Sequence, residues 1–212
     1  MPGMFHHEEF FRGREAVARL GSVSVTLCGA GALGSLLADN LLRQGVKRLT
    51  VIDRDRVEEH NVGTQLYGLS DVGGKKADVL RNRLFKATGV EIEAVAKELT
   101  GQNAQKLCRG ADLVVDTFDN AQSRRIVQET SQAAGIPCLH VGLAGDYAEV
   151  IWEPGYSVPE ETDVDACNYP LARNLVMLAV AVATESLLDF VLEGTRSSYS
   201  ITLRDLAVKP LE

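Results

Sequence analysis

The chain has 212 residues, of which 45% are hydrophobic and 24% charged, as in an ordinary globular protein large enough for one domain with a core. Its 29 acidic and 22 basic residues give a formal net charge of −7. This balance argues against binding to nucleic acid or to an anionic membrane, because both partners require a cationic surface.

The spacing of the cysteines and the hydropathy of the chain argue against further classes of protein. The four cysteines form no CxxC pair, so the sequence lacks the usual zinc knuckles, and a chain of this length needs no disulfide framework. We see no secretion signal at the N-terminus, and the longest apolar run, 175–183, is short for a membrane span. We therefore expect a cytoplasmic protein.

Strand-like and helix-like segments alternate along most of the chain. Runs of β-branched and apolar residues predict strands at 22–28, 47–52, 90–95, 111–116, 137–141, 148–152 and 198–206. Amphipathic stretches, several of them closed by glycine, predict helices at 8–20, 35–44, 72–88, 103–109, 121–134 and 171–192. This order predicts an α/β fold with a Rossmann-like, doubly wound, mostly parallel sheet and an antiparallel C-terminal extension.

The C-terminal part differs from the alternating pattern. Residues 155–168 have little periodicity and read as a loop. The helix expected at 171–192 is apolar nearly all round between 175 and 183, which predicts burial in the core or between subunits.

A glycine fingerprint joins the first predicted strand to the first long helix after it. Gly29 permits a tight turn, Gly31 lets the backbone approach a phosphate, and Gly34 lets helix and strand pack closely. Asp53 ends the next strand, where a carboxylate can accept hydrogen bonds from ribose hydroxyls. The pattern predicts a nucleotide site but leaves two classes open: an NAD(P)-dependent oxidoreductase and an ATP-using enzyme.

Three further motifs separate these classes. Segment 53–65, DRDRVEEHNVGTQ, resembles the DxDxVxxxNxxRQ signature of the ThiF/MoeB/HesA family, whose members are related to the ubiquitin-activating enzymes. Segment 71–77, DVGGKKA, is similar to that family's D-x-G-x-x-K element, and 116–120, DTFDN, followed by Arg124, is similar to its D-x-x-D-N-x-x-x-R element. With the glycine loop, four elements stand in the family's order.

The resemblance implies an ATP- and Mg²⁺-dependent adenylyltransferase. Such enzymes activate the C-terminal carboxylate of a small ubiquitin-like or sulfur-carrier protein ending in Gly-Gly, and they release pyrophosphate. By the same resemblance, Lys76 neutralises phosphate oxygens, Asp119 holds Mg²⁺, and Asp53 holds the ribose. Asn61 and Gln65 would shape the phosphate and acceptor side. The other nucleotide-binding positions that it implies are Gly29, Gly31, Gly34, Asp55, Asn120 and Arg124.

Each of these residues also has an ordinary structural interpretation. Lys76 could be a solvated helix lysine beside Lys75, Asp119 could cap the helix that follows it, and Asn61 could be a turn residue. The joint spacing of the motifs favours the functional interpretation.

The chain also departs from the family pattern. Thr64 stands where the family usually has arginine, so one phosphate-binding cation is missing and a catalytically weakened nucleotide-binding adaptor remains an alternative. A second arginine of the family comes from the N-terminal helix of the partner subunit, for which Arg12 and Arg14 are the candidates here.

The cysteines differ in what they imply. Cys167 precedes the long apolar helix, where many relatives place a cysteine that accepts the acyl group. A small loop side chain is an equally open interpretation of Cys167. Cys28, Cys108 and Cys138 fall in or beside predicted core elements and are expected to be inert.

The organisation of the whole chain follows from these motifs. We expect one adenylyltransferase domain, with a nucleotide-binding half over about 21–145 and an acceptor and dimer half over about 146–212. Relatives are usually homodimers, and the apolar helix at 171–192 is consistent with a homodimer here.

Overall fold

A single eight-stranded sheet organises residues 2–160 and 170–211, which the computed structural model of the protein describes. The strands are β1 Ser24–Cys28, β2 Arg48–Ile52, β3 Glu93–Val95, β4 Leu113–Asp116, β5 Cys138–Ala144, β6 Tyr147–Trp152, β7 Ser198–Thr202 and β8 Ala207–Leu211. Their spatial order is β3-β2-β1-β4-β5-β6-β7-β8. The first five in that order pair in parallel and the last three join antiparallel. The predicted fold class is confirmed.

Helices cover both faces of the parallel half of the sheet. They are α1 His6–Arg12, α2 Arg14–Ser22, α3 Ala32–Gln44, α4 Lys76–Thr88, α5 Ala104–Leu107, α6 Ala121–Ala134 and α7 Arg173–Glu193. Successive residues of a strand point to opposite faces. Accordingly, Leu27 joins the core beneath α3, α4 and α7, whereas Cys28 joins the smaller core beneath α5 and α6.

Helix α7 is the central helix of the larger core. It packs against α3 and the antiparallel strands, and ten of its 21 residues are buried. Its length and mean hydropathy of 2.1 would suffice for a membrane span. However, 56% of its most apolar 18-residue stretch is buried inside the protein. This is the environment of a core helix, as the all-round apolar pattern predicted.

The structure corrects three expected boundaries, and glycine explains two of them. The helix expected at 8–20 is two helices, because Gly13 adopts φ +92° between them. The helix expected from residue 72 begins at Lys76, since Gly73 adopts φ +88° just before it. The strand expected at 198–206 ends at Thr202, and a turn with Leu206 at φ +53° leads into β8.

Candidate active site

A cleft lies where β1, β2, β3 and β4 end. Segments that follow these four strands line it, together with the first residue of α4, and its lining includes Gly29, Gly31, Asp53, Lys76, Asp119 and Asn120. We call it the strand-end cleft. Open α/β sheets bind their ligands in crevices at the carboxyl ends of the strands.

The three fingerprint glycines meet different constraints. A Cβ atom at Gly34 would lie 2.1 Å from the carbonyl oxygen of Gly29, and one at Gly29 would lie 2.7 Å from Thr117 Oγ1. A Cβ at Gly31 would meet no atom of the described chain within 4 Å. Gly29 and Gly34 are therefore required by packing. Gly31, which precedes α3, faces the open cleft and leaves room for a phosphate.

Asp53 fastens the end of β2 to the glycine turn. Its Oδ2 accepts a hydrogen bond from the Ala30 amide at 2.7 Å, and its Oδ1 accepts one from the Asp55 amide at 2.7 Å. Burial raises the pKa of Asp53, against the opposing effects of Lys76 and of these two amides. Each carboxylate oxygen keeps a further lone pair, so Asp53 can still accept a ribose hydroxyl.

Lys76 is a buried lysine at the start of α4. Its side chain lines the strand-end cleft, and its Nζ lies 3.5 Å from Asp55 Oδ2. The neighbouring Lys75 is exposed. The interpretation of Lys76 as a solvated lysine is thus wrong, and the ammonium is held at a place where an anion would be neutralised.

Asp119 and Asn120 follow β4, and their side chains make different contacts. Asn120 caps α6, since its Oδ1 accepts a hydrogen bond from the Ser123 amide at 2.8 Å. Asp119 is therefore not the helix cap, and its exposed carboxylate lines the cleft. Within residues 2–160 and 170–211, no cluster of three potential metal-binding side chains occurs. A single carboxylate fits Mg²⁺, which binds through one or two carboxylates together with phosphates and water.

Besides Gly34, three of the expected site residues in the described chain lie outside the lining of the strand-end cleft. Asn61 is buried, and its Oδ1 accepts a hydrogen bond from the Glu58 amide at 2.9 Å within a 3-10 turn. Gln65 has a buried Oε1 without a hydrogen-bond partner in the described chain. Arg124 is buried and donates to Tyr156 and to the Val141 carbonyl oxygen. The assigned functions of all three remain predictions.

The four cysteines fall into the same two groups as in the sequence analysis. Cys167 lies outside the described residues. Cys28, Cys108 and Cys138 are buried free thiols between the sheet and its helices. Burial raises the pKa of Cys138, which keeps it protonated and unreactive.

The structure also places the two candidate arginines of the sequence analysis. Arg12 is bound to Glu8 and Glu185, whereas the Arg14 side chain is 89% exposed. Trp152 is buried and donates from Nε1 to Ser186 Oγ at 2.8 Å, so it packs within the core.

Sequence reasoning missed several residues of the cleft. Lys97, Glu98 and Leu99 line it because they follow β3, and the rule that ligands lie at strand ends could have indicated them. Tyr67 contacts the glycine turn, since its hydroxyl donates to the Ala30 carbonyl oxygen at 2.7 Å. No spacing pattern indicates Tyr67, because the contact depends on how segment 64–75 folds back over the glycine turn.

Comparisons with known proteins identify relatives that share part of this sequence. The sulfur carrier protein adenylyltransferase of Thermus thermophilus is 40% identical over 129 residues, which are 60% of this chain and 48% of that protein. The sulfur carrier protein ThiS adenylyltransferase of Bacillus subtilis is 33% identical over 153 residues, which are 69% of this chain and 46% of that protein. The chain thus spans about half the length of these relatives.

A solved structure shares the fold. Escherichia coli MccB, crystallised with ATP, superposes with a TM-score of 0.80 over 98% of this chain and 69% of its own, at 18% identity. The model of the ThiF family matches residues 7–185. The chain therefore belongs to the ThiF family.

Proposed function

We propose that the protein is an ATP-dependent adenylyltransferase. A carboxylate oxygen of its substrate attacks the α-phosphorus of ATP, the bond from that phosphorus to the pyrophosphate oxygen breaks, and an acyl-adenylate and pyrophosphate result. One observation carries the proposal: Lys76 and Asp119 come from different crossovers, yet both line the cleft onto which Gly31 opens.

Three residues of the cleft have tasks in this reaction. The Lys76 ammonium attracts phosphate oxygens, and Asp53 accepts hydrogen bonds from the ribose while it holds the glycine turn in place. Asp119 is the residue that would hold Mg²⁺, and that ion would offset the charge that builds on the departing pyrophosphate. Negative charge accumulates during bond cleavage, so fixed positive groups act mainly on the transition state.

The proposed substrate is the C-terminal Gly-Gly carboxylate of a small ubiquitin-like or sulfur-carrier protein. The names of the Thermus and Bacillus relatives support this choice, and both are named as acting on sulfur carriers. The matches cover about half of those relatives. The identity of the carboxylate substrate is therefore a proposal for this chain.

Carrier-dependent exchange of labelled pyrophosphate into ATP tests the activity. The protein is incubated with Mg·ATP and a purified carrier ending in Gly-Gly, and Asp119→Asn is compared with Asp146→Asn, an exposed carboxylate outside the cleft. We expect exchange by the wild type and by Asp146→Asn, and a loss of about 100-fold or more in Asp119→Asn. Equal exchange by wild type and Asp119→Asn would contradict the site assignment.

Two alternatives are separated by binding measurements. An NAD(P)-dependent oxidoreductase would bind NAD(P) tightly and Mg·ATP weakly in a calorimetric titration, the reverse of what we expect. A weakened adaptor would bind Mg·ATP without exchange, and Thr64 motivates this alternative because it supplies no cation. If Thr64→Arg creates exchange in a silent wild type, the adaptor interpretation is favoured.

We further propose that the thiolate of Cys167 attacks the acyl carbon of the adenylate, so that a thioester forms and AMP leaves. Cys167→Ser should then exchange pyrophosphate normally while forming no thiol-sensitive adduct with the carrier. A thiol-sensitive adduct that persists in Cys167→Ser would show that another thiol is the acceptor, since a serine can form only an oxygen ester.

The proposed assembly is a homodimer. Phe10 and Phe11 on α1 are 81% and 79% exposed, which is unusual for large apolar side chains. Arg12 joins this helix to Glu185 on α7, and Met177 lies exposed two helical turns before Glu185. A second copy of the chain would cover this apolar surface.

A further inference from the structure

Five polar side chains form a buried group behind the strand-end cleft. Each is at least nine-tenths buried, and together they come from β4, α6, β5 and the chain that leaves β6. We call them the Asp116 cluster: Asp116, Arg124, His140, Glu153 and Tyr156.

His140 is the centre of the Asp116 cluster. Its Nδ1 lies 2.9 Å from Asp116 Oδ2, and its ring stacks on Tyr156 with centroids 3.9 Å apart and planes 11° apart. Its Nε2 lies 3.0 Å from Glu153 Oε1. That second contact falls short of hydrogen-bond geometry, and Nε2 has no hydrogen-bond partner in the described chain. The Asp116 contact is therefore the directional one.

Arg124 closes the cluster into a ring. Its Nη1 donates to the Tyr156 hydroxyl at 2.7 Å and lies 3.7 Å from Asp116 Oδ2. Tyr156, His140, Asp116 and Arg124 thus contact one another in a closed circuit. Removing one member of a buried charged group leaves the others uncompensated, so such groups tolerate little displacement.

A hydrogen bond joins the Asp116 cluster to the strand-end cleft. Asp116 Oδ1 accepts the Phe118 amide at 3.1 Å, and Phe118 lines the cleft immediately before Asp119. On the other side, Glu153 and Tyr156 are fastened to α6 by Gln128, which donates to Glu153 Oε1 at 2.6 Å and to the Tyr156 carbonyl oxygen at 3.1 Å. The cluster therefore links the chain after β6 to the turn 117–120.

We propose that His140 is a positioning residue for Asp119. By holding Asp116, it fixes the turn 117–120 and so the place at which the Asp119 carboxylate meets a magnesium-bound nucleotide. The role given to Asp119 rests on the proposed function. The effect of His140 on the turn 117–120 does not depend on the proposed function, because it requires no ligand.

Two substitutions of His140 form a matched pair. In His140→Asn the amide nitrogen takes the place of Nδ1 and keeps a donor toward Asp116. In His140→Gln the amide nitrogen reaches the place of Nε2, and the donor toward Asp116 is lost. Val150→Ala serves as the stability control, because Val150 is buried in the core on the opposite face of the sheet.

The first measurement needs no ligand. Hydrogen exchange at the Phe118 amide should be about tenfold faster in His140→Gln than in wild type, and within about threefold of wild type in His140→Asn. The second measurement is the Mg²⁺ concentration that half-saturates ATP binding. It should rise about tenfold in His140→Gln, and it should stay near the wild-type value in Val150→Ala, even where the two variants unfold at the same temperature.

The outcomes separate the two proposals. If His140→Asn and His140→Gln change both measurements equally, or if Val150→Ala reproduces the shift of His140→Gln, His140 is not a positioning residue. If the wild type binds no Mg·ATP, the proposed function fails, and amide exchange at Phe118 still decides whether His140 holds the turn.

Discussion

The carboxylate of Asp53 accepts a hydrogen bond from the backbone amide of Ala30 at 2.7 Å. The bond joins the end of β2 to the glycine turn after β1, two segments that are separate in sequence. The places proposed for a ribose and for a phosphate are therefore joined before any ligand binds. Such preorganisation lowers the cost of binding.

Asp53 should give the stability of the protein a recognisable dependence on pH. Burial raises its pKa above the ordinary value of 3.8, although Lys76 and the amides of Ala30 and Asp55 act in the opposite direction. The folded state thus binds this proton more tightly than the unfolded state. The resulting stabilisation is complete below the unfolded pKa and is lost as the pH rises through the folded pKa.

The variant Asp53→Asn cannot titrate and isolates this effect. The free energy of unfolding of wild type minus that of Asp53→Asn should decrease as the pH rises from about 4 toward neutrality. Urea unfolding at a series of pH values measures the difference. An increase with pH would mean that the fold lowers the pKa of Asp53.

Alanine substitutions at two of the fingerprint glycines should impair different properties, stability in one case and ATP binding in the other. Gly34→Ala places a methyl group 2.1 Å from the Gly29 carbonyl oxygen, so it should lower the melting temperature strongly. Gly31→Ala places its methyl group in open space facing the cleft, so it should fold normally and bind ATP at least about tenfold more weakly. Thermal unfolding and calorimetric titration measure the two effects. Unchanged ATP affinity in Gly31→Ala would move the phosphate site away from this turn.

Adjacent lysines provide a test of charge at the cleft. Lys76→Met should weaken ATP binding by about 10- to 100-fold, because a charge-assisted contact is lost, without destabilising the fold. Lys75→Met removes the same charge from an exposed position and should change the dissociation constant less than about twofold. Equal effects would indicate general electrostatic attraction rather than a site at Lys76.

The proposed dimer can be tested on α1. Replacing Phe10 and Phe11 by serine removes two exposed aromatic side chains without touching the core. Light scattering at matched concentrations should show a dimer for wild type and a monomer for the double variant. A monomeric wild type, or a double variant of unchanged mass, would contradict the assignment of this surface.

Much of the fold could be predicted because its signals are local. Glycines end α3, α4, α6 and α7 in the left-handed conformation, and runs of β-branched and apolar residues predicted the parallel strands. The break at Gly13 was missed because the flanking residues continue a helical pattern across it. The hairpin between β7 and β8 was missed because segment 203–206 contains neither glycine nor asparagine.

The site was less predictable than the fold. The motifs indicated Asp53, Lys76 and Asp119, which line the cleft, but they also indicated Arg124, whose guanidinium is bound to Tyr156 inside the protein. Nothing near position 140 in the sequence indicates that a histidine would contact Asp116. Such contacts join distant segments, so only the packed structure reveals them.

A crystal structure with Mg²⁺ and a non-hydrolysable ATP analogue tests the central claim most directly. We predict the triphosphate over Gly31, with the Lys76 ammonium on its oxygens and Asp119 holding the metal. A nucleotide seated elsewhere, or one that leaves both side chains without contact to it, would contradict the account.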